Sequence, residues 1–164
     1  MSAAEASVVL LPREIRLVAE RLLLLTSLPP GLIPAVRDVA FHSAIAGLGG
    51  IALLLDRLDA LRAAAPAALR IEEPEPGRFA VDGDGQHAWV VLPSLLDLAG
   101  EAVVRHGSGV VTVSHVEDPE ELLVAAALGR RQGMLAFAAV GPAAIAAPCA
   151  ERSAPGLLRG AHAA

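Results

Sequence analysis

The chain is 164 residues long, with 13 basic and 18 acidic side chains, a formal net charge of -5, and 54% hydrophobic against 2% aromatic residues. Every basic residue is Arg and there is no Lys, Asn or Tyr, which excludes a lysine-dependent phosphate loop, Schiff-base chemistry on a lysine amine, a Tyr proton donor and an N-glycosylation acceptor. Acidic balance and scarce rings also exclude a nucleic-acid surface, which needs a basic patch and stacking aromatics.

Residues 1–10 read as a loose tail. From Leu11 to Ser27, apolar Ile15, Val18, Leu22 and Leu25 alternate with Arg13, Glu14, Arg16, Glu20 and Arg21. That is helical spacing with one dry face, ended by Pro29-Pro30-Gly31. Leu32–Ala46 is a second predicted helix, broken by Gly47-Leu48-Gly49-Gly50. Ile51–Ala64 is a third, with Asp56, Arg57, Asp59 and Arg62 on its wet side, and a linker begins at Ala63–Pro66.

The pattern then changes. Leu69–Glu72 and Arg78–Val81 are predicted strands around the turn Glu73-Pro74-Glu75-Pro76-Gly77. The turn Asp82-Gly83-Asp84-Gly85 precedes an apolar helix from Trp89 to His106, and Gly109–Val113 reads as a strand. Glu117-Asp118-Pro119-Glu120-Glu121 reads as a helix start, with Asp118 or Glu117 as N-cap and Pro119 at the first helical position. Gly133–Phe137 begins another strand, stopped by Gly141-Pro142, and Ala143–Ala147 is a further short strand candidate. The remainder, 151–164, reads as a tail. The expected organisation is one domain over 11–150, helical to residue 66 and α/β from 67.

Cys149 is the single cysteine, so no internal disulfide can form, and with no secretory signal visible a reducing cytoplasm is expected. The uncharged stretches Val39–Leu55 and Gly133–Ala150 are interrupted by Gly or Pro and fall short of the roughly 20 strongly apolar residues of a membrane span. Lys-free, Arg-rich usage points to a GC-rich, bacterial genome. The apolar surplus points to an oligomer interface.

Residues 11 to about 148 resemble the malate/L-lactate dehydrogenase family that does not use a Rossmann fold, which includes ureidoglycolate dehydrogenase, sulfolactate dehydrogenase and diketogulonate reductase. The resemblance rests on an ordered set of motifs. Val81-Asp82-Gly83-Asp84-Gly85 leads a helix ending in His106-Gly107. The strand Gly109–Val113 follows, and after a helix the strand Gly133–Phe137. It implies an α/β fold of the α+β kind, N-terminal helices followed by a mixed sheet flanked by helices, like the N-terminal half of the family fold. It implies NAD(P) as cofactor, hydride transfer at the 2-position of small 2-hydroxy or 2-keto acids, and usually a dimer.

The family's chemical residues do not carry over. Its Asp-Ser-His-Gly motif falls on Gly47-Leu48-Gly49-Gly50, with Gly49 where the proton-transferring His would stand. Glycine offers no titratable proton. A shifted alignment would use His42 and Ser43, at the cost of the next helix's register. Its Asn-Ser-x-His-Phe-Gly loop falls on Ser114–Glu120, placing Asp118, Pro119 and Glu120 at the His, Phe and Gly positions. Acids there repel a cofactor phosphate. His115 lies three residues early and is a weak catalytic candidate. Its Thr-Asn-Ser-like step becomes Ala138-Ala139-Val140.

Asp82-Gly83-Asp84-Gly85 lacks the distal ligands of a calcium loop, so no metal site is expected. The glycines at 47, 49 and 50 lack the spacing of a phosphate cradle. Cys149 is expected to be inert, and Trp89 to lie in the core or an interface. Two readings follow. One is a catalytically degenerate relative acting as a binding or assembly module without cofactor, pairing with itself or with a partner subunit. The other is a working NAD(P)-dependent oxidoreductase whose site is completed by another chain.

Overall fold

A computed structural model describes residues 10–140 and 145–152. Four helices come first: α1 (Pro12–Leu23), α2 (Ile33–Ile45), α3 (Gly50–Asp56) and α4 (Leu58–Ala63). Helix α1 starts on Pro12, and Glu14 reaches back so that its Oε2 accepts the Leu11 N–H at 2.7 Å. This satisfies one of the donors every helix start leaves open. It stops four residues before Ser27 because the Thr26 hydroxyl donates to the Leu23 carbonyl at 2.6 Å, taking the last turn out of the ladder. The predicted third helix is two helices, α3 and α4. Arg57 leaves helical dihedrals between them (φ -104, ψ 9), where its guanidinium turns to Asp118. The stretch Val39–Leu55 is thus parts of two helices, and among the described residues no helix is long and apolar enough to cross a membrane.

A short 3-10 turn (Pro66–Ala68) leads into the sheet. Its strands are β1 (Arg70–Glu75), β2 (Arg78–His87), β3 (Ser108–Glu117), β4 (Met134–Val140) and β5 (Ile145–Arg152), in spatial order β1-β2-β3-β5-β4. Only β2 and β3 run parallel; the other pairs are antiparallel. The β1–β2 turn is tighter than predicted, Pro76-Gly77 alone, with Gly77 at φ 74. Strand β2 runs through Asp82–Gly85, which is a bulge within the strand and not a strand–helix turn. Its pairing with β3 jumps between Asp82 and Gln86, with Asp84 and Gly85 at positive φ.

Helix α5 (Ala88–His106) crosses from β2 to β3 and is the centre of the molecule. Its first five residues, Ala88 to Leu92, are fully buried, and Leu95, Leu96, Ala99, Ala102 and Val103 continue that face. The sheet packs Phe79, Val81, Val111 and Val113 against α5, and the N-terminal helices add Leu23, Val36, Val39, Leu54 and Leu61 to the same core cluster.

The acidic segment is not an α-helix start. A 3-10 helix occupies Pro119–Val124, and α6 (Ala125–Arg131) follows. Pro119 does hold its first position. Asp118 occupies the N-cap position, but in left-handed conformation (φ 49, ψ 55) and without a cap hydrogen bond, and Glu117 is the last residue of β3. Most of the predicted loop after β3, Ser114–Glu117, is strand. Glu151 and Arg152, predicted as tail, belong to β5. The predicted Gly141-Pro142 stop, the start of the Ala143–Ala147 candidate and the tails 1–9 and 153–164 lie outside the described residues.

Candidate functional site

The two positions where the sequence lacks the expected histidines, Gly49 and Asp118, are drawn into one cluster. The Gly49 N–H donates to Glu121 Oε1 at 2.9 Å, and Trp89 Nε1 donates to Glu121 Oε2 at 2.7 Å. Glu121 is only 3% exposed. Its carboxyl group therefore ties the glycine loop to the start of α5. Nothing in the sequence marks Glu121 as different from Glu120. The 3-10 geometry turns Glu121 inward and leaves Glu120 exposed.

Asp118 joins the cluster from the end of β3. Its carboxylate accepts from Arg57 Nε at 2.7 Å and from Nη2 at 3.2 Å, a two-point pair. The bonds from Arg57 hold its pKa below the usual carboxylate range, against the opposing effect of burial. His87 closes the group. Its Nδ1 accepts the Trp89 N–H at 3.1 Å, capping α5, so the neutral ring carries its proton on Nε2. Nε2 lies 3.2 Å from Asp118 Oδ2 but is not aligned for a hydrogen bond. Burial pushes the His87 pKa down despite Asp118 and Glu121 pulling it up, so the ring is neutral near pH 7 and the pair is not an ion pair.

The remaining candidates separate. Ser43 is fully buried, and its Oγ accepts the Gly50 N–H at 2.8 Å, so it braces the glycine loop. His42, its neighbour on α2, packs edge-on against Phe41 with ring centroids 5.3 Å apart. Its Nε2 is buried without a partner, and burial with the nearby Arg131 lowers its pKa. Asp38 on the same helix accepts from Arg37 and Arg131. His115 is exposed at the β2 bulge, where Nδ1 donates to Asp82 Oδ1 at 3.0 Å. Its backbone is left-handed (φ 52). Among the described residues no contact joins His42 to His115.

The glycine loop at the cluster is closely packed. A Cβ built on Gly49 would run into the Leu53 side chain, and one on Gly50, at φ 53, would stand 2.9 Å from Ala44 Cα. His87 offers no exposed side-chain surface. Two described surface depressions lie elsewhere. One, of about 360 Å³, sits on the open face of β1, β2 and β3 beside Arg70, Asp82 and Thr112. The other, of about 310 Å³, lies between α2, α5 and α6 beside Asp38, Asp97 and Arg131. No group of three or more His, Cys, Asp or Glu suited to a metal occurs among the described residues. Sequence reasoning missed His87, Arg57 and Glu121. The available signal for His87 was its place directly before the unbroken apolar run Ala88–Leu92.

No protein-family model and no curated protein matches the chain. Solved structures do. A malate dehydrogenase from Entamoeba histolytica superposes with TM-score 0.54 at 20% identity, covering 75% of this chain and 36% of its own. Sulfolactate dehydrogenase from Methanocaldococcus jannaschii gives 0.53 at 19%, with 75% and 37% covered. Δ1-piperideine-2-carboxylate reductase from Pseudomonas syringae gives 0.53 at 13%, with 88% and 47% covered. The chain thus carries part of the fold of these dehydrogenases and reductases, the fold its ordered motifs imply, and spans less than half the length of these structures.

Proposed function

We propose that this chain is a catalytically degenerate relative of NAD(P)-dependent 2-hydroxyacid oxidoreductases, and that it serves as a binding or assembly module in the cytoplasm. The observation that carries the reading is the bond from the Gly49 N–H to Glu121 at 2.9 Å. It places a buried carboxyl group against the position where a proton-transferring side chain would be needed, beside a backbone with no space for one. A general acid must reach the substrate oxygen, and neither Gly49 nor the Arg57-bound Asp118 supplies one. Retention of a fold without its chemistry is physically ordinary, because fold and site are specified by different residues.

Titration of the purified chain with NADH and NADPH, followed by fluorescence and calorimetry, tests this. The expected result is no saturable binding up to millimolar cofactor. Binding at micromolar concentration overturns the reading. A second reading, an oxidoreductase whose site is completed by another chain, is favoured by one fact: the matched structures extend well beyond the part superposed here. It requires that NAD(P)H-dependent reduction of a 2-keto acid emerge only when this chain is mixed with such a subunit.

A further inference from the structure

The pocket between α2, α5 and α6 joins an aliphatic floor to a charge that the fold leaves unanswered. Ala35 and Val39 stand four apart on α2, and Pro93 and Asp97 four apart on α5, so each pair shares one face of its helix. Leu128 and Arg131, three apart on α6, do the same. Val39, Leu96 and Leu128 are buried, and Ala35 and Pro93 complete a floor without a polar side chain. At about 310 Å³ the space lies at the small end of ligand sites, which set a few polar groups round an apolar lining.

The charges at the mouth select the ligand. Asp38 is already answered: Oδ1 accepts from Arg37 Nε and Nη2 at 3.2 and 3.1 Å, Oδ2 accepts from Arg131 Nη1 at 2.8 Å, and Arg16 stands 3.8 Å away. Arg37 also donates to Glu20 at 2.9 Å, and the Arg16 guanidinium lies over the Phe41 ring, so these cations are engaged within the fold. Asp97 differs. Burial alone raises its pKa, with no charged or hydrogen-bonding group of the described residues acting on its carboxyl. A carboxylate beside an aliphatic floor gains most from a charged N–H donor, whereas an anion would meet the free Asp97 and an Arg131 already bonded to Asp38. One free carboxylate does not hold a metal ion, and no group of three or more ligating side chains occurs among the described residues. No aromatic ring lines the pocket, so nothing in it offers a stacking partner to an aromatic body. We propose that this pocket binds a small aliphatic primary amine in its ammonium form, with the alkyl chain on the floor and its N–H groups donated to Asp97.

Calorimetric titration of the full chain with n-hexylamine at pH 7.5, where the amine is charged, tests this beside n-hexanoate, which has the same chain length and the opposite charge. Saturable binding of hexylamine with a Kd of about 1 mM or tighter is expected, and none of hexanoate. Asp97→Asn, at the exposed rim, keeps the shape, removes the charge and weakens binding about tenfold. Arg131→Gln frees Asp38 Oδ2 for the ligand and tightens binding severalfold. Ala35→Leu fills the floor and abolishes binding while thermal unfolding stays cooperative. No saturation by about 10 mM hexylamine overturns the proposal. So does hexanoate binding as tightly as hexylamine, or an Asp97→Asn chain that binds hexylamine as tightly as the parent, which places the amine elsewhere. The pocket shares no residue with the Gly49–Glu121 cluster, so either outcome leaves the NADH and NADPH titrations to be read on their own.

Discussion

At the scale of single residues, Glu121 is the most consequential side chain described. It satisfies Gly49 N–H and Trp89 Nε1 together, and its removal orphans one buried and one partly buried donor. Glu121→Ala is expected to cost about 2–4 kcal/mol, since each orphaned buried group carries its full desolvation penalty. Glu121→Gln, which keeps one acceptor and turns a donor toward the other N–H, should cost about half of that. Urea unfolding followed by the emission of Trp89 measures both, because Trp89 is the single tryptophan and no tyrosine interferes. A Glu121→Ala midpoint indistinguishable from the parent chain would refute the role. His42 and Ser43, adjacent in sequence, point to different tasks for a simple reason. Successive residues on a helix lie 100° apart, so Ser43 meets the glycine loop while His42 meets Phe41.

At the scale of elements, α5 is specified almost entirely by its own residues. Its length follows from an uninterrupted apolar face, its start from His87, and its end from Gly107, left-handed at φ 83. Pro93 stands inside it at a position whose missing N–H costs one hydrogen bond, offset by burial along the rest of the helix. Gly107→Ala should destabilise the protein by about 1–2 kcal/mol, the penalty of a Cβ in the left-handed region. Thermal denaturation would show a lower midpoint with unchanged far-ultraviolet dichroism at 20 °C. Two of the elements that departed from sequence expectation did so where distant segments meet. The third helix divides where Arg57 reaches Asp118. Strand β2 continues past Asp82 because Asp84 N–H and His115 both bond Asp82 Oδ1, so the turn residues bulge within the ladder.

At the scale of the whole molecule, the buried histidines set the response to acid. His87 and His42 both have lowered pKa values in the fold, chiefly through burial. The unfolded chain therefore binds more protons just below the ordinary His value of about 6.5, and stability falls as pH drops through that window. Asp118, Asp38, Asp82 and Glu73, held low in the fold, add a second loss as pH falls through the carboxylate range. Asp97, raised by burial, opposes that second loss. Urea midpoints at pH 7.5 should exceed those at pH 5.5, and His87→Gln should flatten the difference; a midpoint independent of pH between them would contradict the burial of His87. The sequence by itself determined the helix-then-sheet order, α5, the strand cores and the glycine loop at 47–50, because apolar periodicity, glycine and residue identity are local properties. Only the tertiary structure decided that Glu121 turns inward, that Arg57 binds Asp118 across 61 positions, and that β5 inserts between β3 and β4. Those outcomes depend on pairings between distant segments, where the burial of one polar group is fixed by whichever donor the fold brings to meet it.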